Sequence, residues 1–354
     1  MTSSPCSRQV APASTILPPP GSGKSASVGR RGCLAGAVAG LASRALPARA
    51  AETPVVRLGT VQFGTAQWAA DVIQRNHLDV AHGFALQTVM LANTDAARVA
   101  LLSGGADIVV SDWFFVASQR AEGTKLTFAP FSSALGGVLV RADSPIRSLA
   151  DLSQRKLGVA GGPQDKSWLV VQAAGNAKNG IDLARVADVV YGAPPLLNAK
   201  LMQGELDAVL TFWTYAARLE AAGYRQVISV AECAKSLGLP DKLCLVGFVF
   251  HEDWANKNEA AIVGFLTAAA EAQAMLAGSV AEWQQVRPLM DAPDDALFNS
   301  LRQRFFEGIA FPPADVQEET ATKLIDVLQR TGGARALGGL SKLPAGVFWQ
   351  GPYG

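Results

Sequence analysis

The segment Leu102-Ser-Gly-Gly-Ala-Asp-Ile-Val-Val-Ser-Asp-Trp113 recurs one hundred residues later as Met202-Gln-Gly-Glu-Leu-Asp-Ala-Val-Leu-Thr-Phe-Trp213. Gly104 aligns with Gly204, Asp107 with Asp207, Ser111 with Thr211 and Trp113 with Trp213. In each copy a helix ends at Gly, the residue that most readily takes the left-handed conformation of a helix C-terminus. A turn with Asp follows, then an apolar run that reads as a parallel strand buried on both faces. A hydroxyl and an aromatic stand where that strand ends. Ligands of open α/β sheets bind beyond the carboxyl ends of the strands. Two such units therefore predict two α/β lobes, each aiming Ser/Thr and Trp at a shared cleft. The same pattern also fits an ordinary helix–strand junction repeated by chance, so the context must decide.

The chain has 354 residues, enough for two domains of about 100–200 residues each. Apolar residues make up 49%, which supplies a large core and excludes disorder for most of the length. The net charge of +1 is unevenly spread: residues 1–50 hold Arg8, Lys24, Arg30, Arg31, Arg44 and Arg49 and no acid. Taking those six from the 31 Lys and Arg leaves 25 against 30 Asp and Glu, a net of −5 for the rest. A mildly acidic body without a basic stripe argues against nucleic acid as partner.

The acid-free start reads as an export leader. Arg30-Arg31 precedes an Ala/Gly-rich stretch, Cys33 to Leu46, and Ala48-Arg49-Ala50 fits a small-x-small cleavage site. That stretch is too short to span a bilayer. A disordered basic tail is the competing reading. Two cysteines remain beyond the leader, Cys233 and Cys244. In an oxidising compartment they are candidates for a disulfide, and the alternative is two reduced, buried thiols.

Strand and helix patterns alternate along the body, as in βαβ units with a parallel sheet. Strands are predicted at Val55–Val61, Phe84–Leu91, Asp107–Ser111 and Leu126–Phe131, with helices at Gln67–Leu78, from Asn93 to Leu102 and from Trp113. Gly136-Gly137 opens a strand suited to crossing between lobes. Lys156–Ala160, Val189–Tyr191, Ala208–Thr211 and Gln226–Ser229 are the strands of a second lobe, and Leu243–Phe250 carries the chain back. Helices follow at Ala255–Ala277, Val280–Met290, Asp294–Phe306 and Ala314–Gln329. The expected organisation is a leader at 1–50, a discontinuous first lobe at 51–138 and 247–330, a second lobe at 139–246, and a Gly/Pro-rich tail at 331–354. Lobes joined by two crossings form a hinge that closes over ligands.

The order of these features resembles a known family: the Val55–Leu58 strand, the Thr94-Asp95 helix start, the Gly104–Asp107–Ser111 unit, Ser148–Leu152 and the Gly161-Gly162-Pro163 loop. Gly204–Val209, the aromatic run Phe212-Trp213-Thr214-Tyr215 and Phe250–Trp254 before a long helix continue it. The whole is similar to the substrate-binding proteins of ABC importers of the nitrate/sulfonate/taurine (NitT/TauT) type, over residues 53 to about 330. The resemblance implies an α/β chain with the type II periplasmic binding-protein fold. It further implies a monomeric, non-enzymatic, periplasmic receptor that hands a small molecule to an inner-membrane permease and its ATPase. A periplasmic accessory or sensor protein serving a protein partner is the alternative function. Phe63-Gly64-Thr65 lacks an evident sulfonate-binding set, Asp112 places an acid near the expected site, and the leader is of twin-arginine type; these depart from the pattern.

Strand ends and helix starts nominate the cleft residues: Gln67 and Trp68; Ser111, Asp112 and Trp113; Gly136 and Gly137; Gln164, Asp165, Lys166 and Ser167; Thr211, Trp213 and Tyr215. The helix start at Gln164–Ser167 offers free N–H groups to an anionic head. Trp113 and Trp213 are expected to face each other across the ligand body. Each has a plainer reading: a Trp as packing, Lys166 as a solvated charge, Asp165 as a helix cap. His77, His82 and His251 show no metal-ligand spacing, and no nucleophile–base motif stands out, so neither enzyme activity nor cofactor nor metal is expected. Cleavage after Ala50 predicts that mass spectrometry of the exported protein finds Ala51 or a close neighbour first; a mature chain retaining Arg30-Arg31 contradicts the leader.

Overall fold

The computed structural model describes residues 53–351 except 62–63, 241, 310–312, 331–336 and 338. The proposed leader and its cleavage site lie outside the described residues. Glu52–Gly354 is one compact unit, and all that follows concerns it.

The chain opens with β1 (Val55–Val61), α1 (Ala66–Arg75), the short α2 (Leu78–Ala81), β2 (Ala85–Leu91), α3 (Thr94–Leu102), β3 (Ile108–Asp112), α4 (Trp113–Ala121) and β4 (Leu126–Ser132). After crossing it forms β5 (Gly137–Val140), a 3₁₀ turn at Leu149–Leu152, β6 (Lys156–Ala160), α5 (Lys166–Asn179), α6 (Leu183–Val186) and β7 (Asp188–Gly192). Next come α7 (Pro194–Met202), β8 (Ala208–Thr211), α8 (Trp213–Ala221), β9 (Arg225–Ser229) and α9 (Val230–Ser236). It returns through β10 (Val246–His251) and ends in α10 (Glu252–Lys257), α11 (Glu259–Gly278), α12 (Val280–Met290), α13 (Asp295–Gly308) and α14 (Ala314–Arg330).

Two five-stranded sheets result, in the orders β2-β1-β3-β10-β4 and β7-β6-β8-β5-β9. β1 pairs parallel with β2 and β3, and β6 with β7 and β8. β10 runs antiparallel between β3 and β4, and β5 antiparallel between β8 and β9. The two sheets are therefore built alike, each taking as its fourth strand the one that follows a crossing.

The sequence echo is part of this likeness. α3 and α7, and α4 and α8, start one hundred residues apart. Gly104 and Gly204 close the turns with φ of 75° and 78°, a region glycine enters without steric cost. Asp107 then accepts the Arg57 N–H at 2.9 Å and donates its own N–H to the Arg57 carbonyl at 2.9 Å. Asp207 does the same with Lys156, at 2.8 and 2.9 Å. Each aspartate thus fastens the third strand in its sheet order to the second, β3 to β1 and β8 to β6. Asp107 alone gains a guanidinium, with Arg57 Nε at 2.9 Å and Arg57 Nη1 reaching the Gly104 carbonyl at 2.8 Å.

The C-terminal part differs from the sequence expectation in two ways. The helix expected at Ala255–Ala277 is broken at Asn258, giving α10 and α11. The tail is more than coil: Val347 and Phe348 are buried, the Phe128 N–H donates to Val347 O at 2.8 Å, and the Trp349 N–H donates to Phe128 O at 2.9 Å. α11 packs on α1, whereas α13 packs on α8 and α14 on α5, so the last helices touch both lobes.

Asp107→Ala strands an amide and gives up an ion pair with the partly exposed Arg57 guanidinium, and is expected to cost about 2–3 kcal/mol of stability; Asp207→Ala strands an amide and is expected to cost about 1–2 kcal/mol. Urea unfolding compares them, and equal losses would show that Arg57 adds nothing.

Candidate functional site

Asp112 is both the last residue of β3 and the N-cap of α4, where its carboxylate accepts the Phe115 N–H at 2.9 Å. Extended backbone followed by a helix places such a residue at the carboxyl edge of the sheet, with its side chain folded over the free N–H groups. Two cations meet there. Arg98, on α3, holds Asp112 Oδ2 through Nη2 at 2.6 Å and donates through Nε to Ser111 Oγ at 3.2 Å. Its guanidinium lies 4.8 Å from the centre of the Phe115 ring. Lys166, the first residue of α5, brings its Nζ to 2.8 Å from the same Oδ2. Asp112 belongs to the first sheet and Lys166 to a helix of the second lobe, so this ion pair spans the seam. The side chains are largely withdrawn from solvent, with 9% of Asp112, 18% of Lys166 and 25% of Arg98 exposed.

Beside them Asp165 caps α5 by accepting the Trp168 N–H at 3.2 Å. The two carboxyls shift in opposite directions. Burial alone would raise Asp112, but Lys166, Arg98 and the Phe115 N–H outweigh it and hold the carboxyl below its ordinary value. Burial pushes Asp165 up to about 6, Asp112 adds to the rise, and Lys166 and the helix N–H groups oppose it. Two carboxyls and two cations gathered at two helix starts can receive an anionic or zwitterionic group.

Of the residues nominated from sequence, Ser111, Asp112, Asp165 and Lys166 come together here. Gln164 and Ser167 flank them, exposed and partly buried respectively. Gln67 instead binds the end of β1, donating to Val61 O at 2.9 Å. Gly136 and Gly137 sit where side chains cannot: a Cβ on Gly136 would lie 1.7 Å from Thr211 O, and one on Gly137 2.7 Å from Ile228 O. Thr211 Oγ1 is buried without a hydrogen-bond partner. Tyr215, one turn into α8, has its phenol raised by burial.

The tryptophans correct the expected picture. Trp113 and Trp213 do not face each other and lie in separate apolar clusters. Trp113 is 1% exposed, stacks on Phe114 at 3.8 Å and meets Phe348 of the tail at 6.2 Å. Trp213 packs edge-on against Trp68 at 6.0 Å, and Trp68 continues to Trp283 at 5.8 Å and Phe305 at 6.1 Å. α4 is covered by the C-terminal tail and α8 by α1 and α13, so equal sequence positions meet unequal neighbours. The disulfide is also corrected: Cys233 and Cys244 are free. Cys244 Sγ donates toward Ser132 O at 3.3 Å and Val246 O at 3.4 Å, while Cys233 packs in the core beside α5. Burial pushes both thiols up to about 12, which makes them inert. Among the described residues no three His, Cys, Asp or Glu side chains gather as metal ligands.

Sequence reasoning missed Arg98 and Phe115. Arg98 stands one turn after Asp95 on an ordinary amphipathic helix, and only the packing of α3 on β3 turns it to Ser111 and Asp112.

Two α/β lobes of like topology, joined by two crossings and carrying a charged seam at their strand ends, form the type II periplasmic-binding-protein fold. The NMT1/THI5-like family model matches residues 80–279, more than half of the chain, and the chain belongs to that family. It is similar in structure to the periplasmic aliphatic sulphonate binding protein SsuA of Escherichia coli, with 19% identity, 84% of this chain and 92% of that one covered, and a TM-score of 0.65. The alkanesulfonate-binding protein SsuA of Xanthomonas axonopodis pv. citri, bound to MOPS, matches at 18% identity over 84% and 97%, with a TM-score of 0.60. The periplasmic nitrate-binding protein NrtA of Synechocystis matches at 14% over 84% and 93%, with a TM-score of 0.55. No curated protein matches the chain.

The shifted carboxyls give a pH prediction. Folded Asp165 keeps its proton up to about 6, whereas an unfolded Asp releases it near 3.9. Its stabilising contribution is therefore full below about 4 and lost as pH rises through about 6, on the order of 3 kcal/mol in all. Asp112 has the opposite sense: its contribution is present above about 3.9 and is lost as pH falls through its lowered value, outside that window. Asp165→Asn keeps a capping side chain and removes the titration. Urea unfolding between about pH 4 and 6 should show a slope in the parent that the variant lacks; parallel profiles would refute the assignment.

Proposed function

We propose that this chain is a periplasmic solute-binding receptor that captures a small organic molecule, anionic or zwitterionic, between its lobes and delivers it to an ABC importer in the inner membrane. The observation that carries this reading is the Asp112–Lys166 pair: the end of β3 in one lobe meets the start of α5 in the other, with Arg98 on the same carboxylate. Strand ends and helix starts are where such sheets bind ligands. The sulphonate- and nitrate-binding proteins of like fold support the class of ligand and the importer. Export through a twin-arginine leader, with residues 51 onward as the mature chain, is part of the same proposal.

In this reading an acidic group on the ligand is received by Lys166 and Arg98 at the start of α5, where the helix dipole favours negative charge. Asp112 keeps both cations oriented and takes a donor on the ligand. Phe115 offers an apolar wall under the guanidinium of Arg98. Trp113 serves α4 as core and Trp213 holds the seam, so neither is assigned to the ligand body. Binding draws the lobes together and transforms nothing.

A thermal-shift screen of small organic acids and amino acids, followed by calorimetry on the best compound, tests this. Lys166→Met and Arg98→Met are each expected to weaken that compound at least tenfold, the equivalent of about 1.4 kcal/mol. Scattering should show a smaller radius of gyration on binding. Unchanged affinity in both variants would move the site elsewhere, and turnover of the bound compound would end the receptor reading.

A further inference from the structure

The two segments that cross between the lobes, 133–136 and 242–245, are both tied to one helix end. The last carbonyls of an α-helix have no intrahelical donor and need partners from outside. At the C-terminus of α13 the crossing segments supply them. Ser133 donates its N–H to Gly308 O at 2.8 Å and its hydroxyl to the same oxygen at 3.2 Å. Lys242 donates from Nζ to Glu307 O at 3.1 Å. The contact is close enough to require glycine: a Cβ on Gly308 would lie 2.4 Å from Ala134 Cβ and 2.7 Å from Ala134 N.

The same helix grips both lobes along its length. Arg304 pairs with Glu220 of α8, Nε to Oε2 at 2.9 Å. One residue on, Phe305 meets Trp68 of α1 at 6.1 Å and Trp283 of α12 at 5.1 Å. α13 is thus anchored in the first lobe, bound to α8 of the second, and bonded at its end to both connections between them.

We propose that α13 is a hinge clamp: its terminal carbonyls, Glu307 and Gly308, fix the two crossing segments and so limit how far the lobes separate. Hinges are few residues that absorb the backbone change of a domain motion. Here one residue of each connection is held from outside, which shortens the length of chain free to rotate. The clamp operates whatever the ligand is and does not depend on the receptor reading.

Spin labels on Glu122→Cys, at the end of α4, and Asn179→Cys, at the end of α5, report the separation of the lobes. Cys233 and Cys244 are buried and stay unlabelled, and Cys6 and Cys33 are replaced by Ser in the labelled protein. Gly308→Ala forces the helix end off Ala134, and Lys242→Met removes one tether from an exposed position. Either change, in the ligand-free protein, is expected to add a population at longer distance and to raise the radius of gyration in scattering. Far-UV circular dichroism checks that each variant is folded; should Gly308→Ala fail to fold, Lys242→Met alone decides. A folded Lys242→Met variant with the parent's distance distribution would overturn the clamp, as would a folded Gly308→Ala variant with that distribution.

Discussion

Two strands that run against their neighbours, β5 and β10, hold the rest of the structure in place. Repeated βα units alone would add parallel strands to one growing sheet. Here each crossing feeds a strand that enters in reverse between two others, and both of its edges are used at once. The sheets cannot merge, because the chain commits one central strand to each. Entry is tight: Gly136 lies against the Thr211 carbonyl, and a Cβ on Gly247 of β10 would lie 2.2 Å from Ala129 O. Both strands shift register near entry, at Val138/Leu139 and Val246/Gly247. Backbone packed on backbone at the crossings brings the carboxyl ends of β3 and β6 to a common seam, and the charged residues follow from that.

Much of this architecture was legible because its signals are local. Lys156–Ala160 and Ala208–Thr211 read as strands with the limits the structure shows, and Val280–Met290 reads as the helix α12. The break at Asn258 has a local signal, the four polar residues Asn256-Lys-Asn-Glu259 in a row, but such a run also fits the exposed side of one continuous helix. For the site, Asp112, Asp165 and Lys166 could be found because capping residues and first-turn positions are fixed by the backbone a few residues away. Arg98 could not, because its role depends on how α3 lies against β3. The echo misled in one respect. Its aspartates perform the same task in both lobes, as they answer to the adjacent strand. Its tryptophans do not, as they answer to whatever covers each helix, and that cover comes from Phe348 in one case and from Trp68 in the other.

The seam joins the lobes by two kinds of contact with different energetics. Trp68 against Trp213 is apolar and gains from every square ångström kept from water. Asp112 with Lys166 and Arg98 gains attraction but forfeits the hydration of three charges, and in buried pairs these two terms nearly cancel. An aromatic contact therefore favours closure, while a charged one is close to neutral and specifies alignment. A charge cluster at the meeting point of two lobes can be separated, hydrated and re-formed at little net cost. An apolar plug of the same area could not. In the proposed receptor, that near-neutrality suits a seam that admits a charged solute: the ligand would take over ion-pair partners already held in place by capping and stacking, rather than paying to order them.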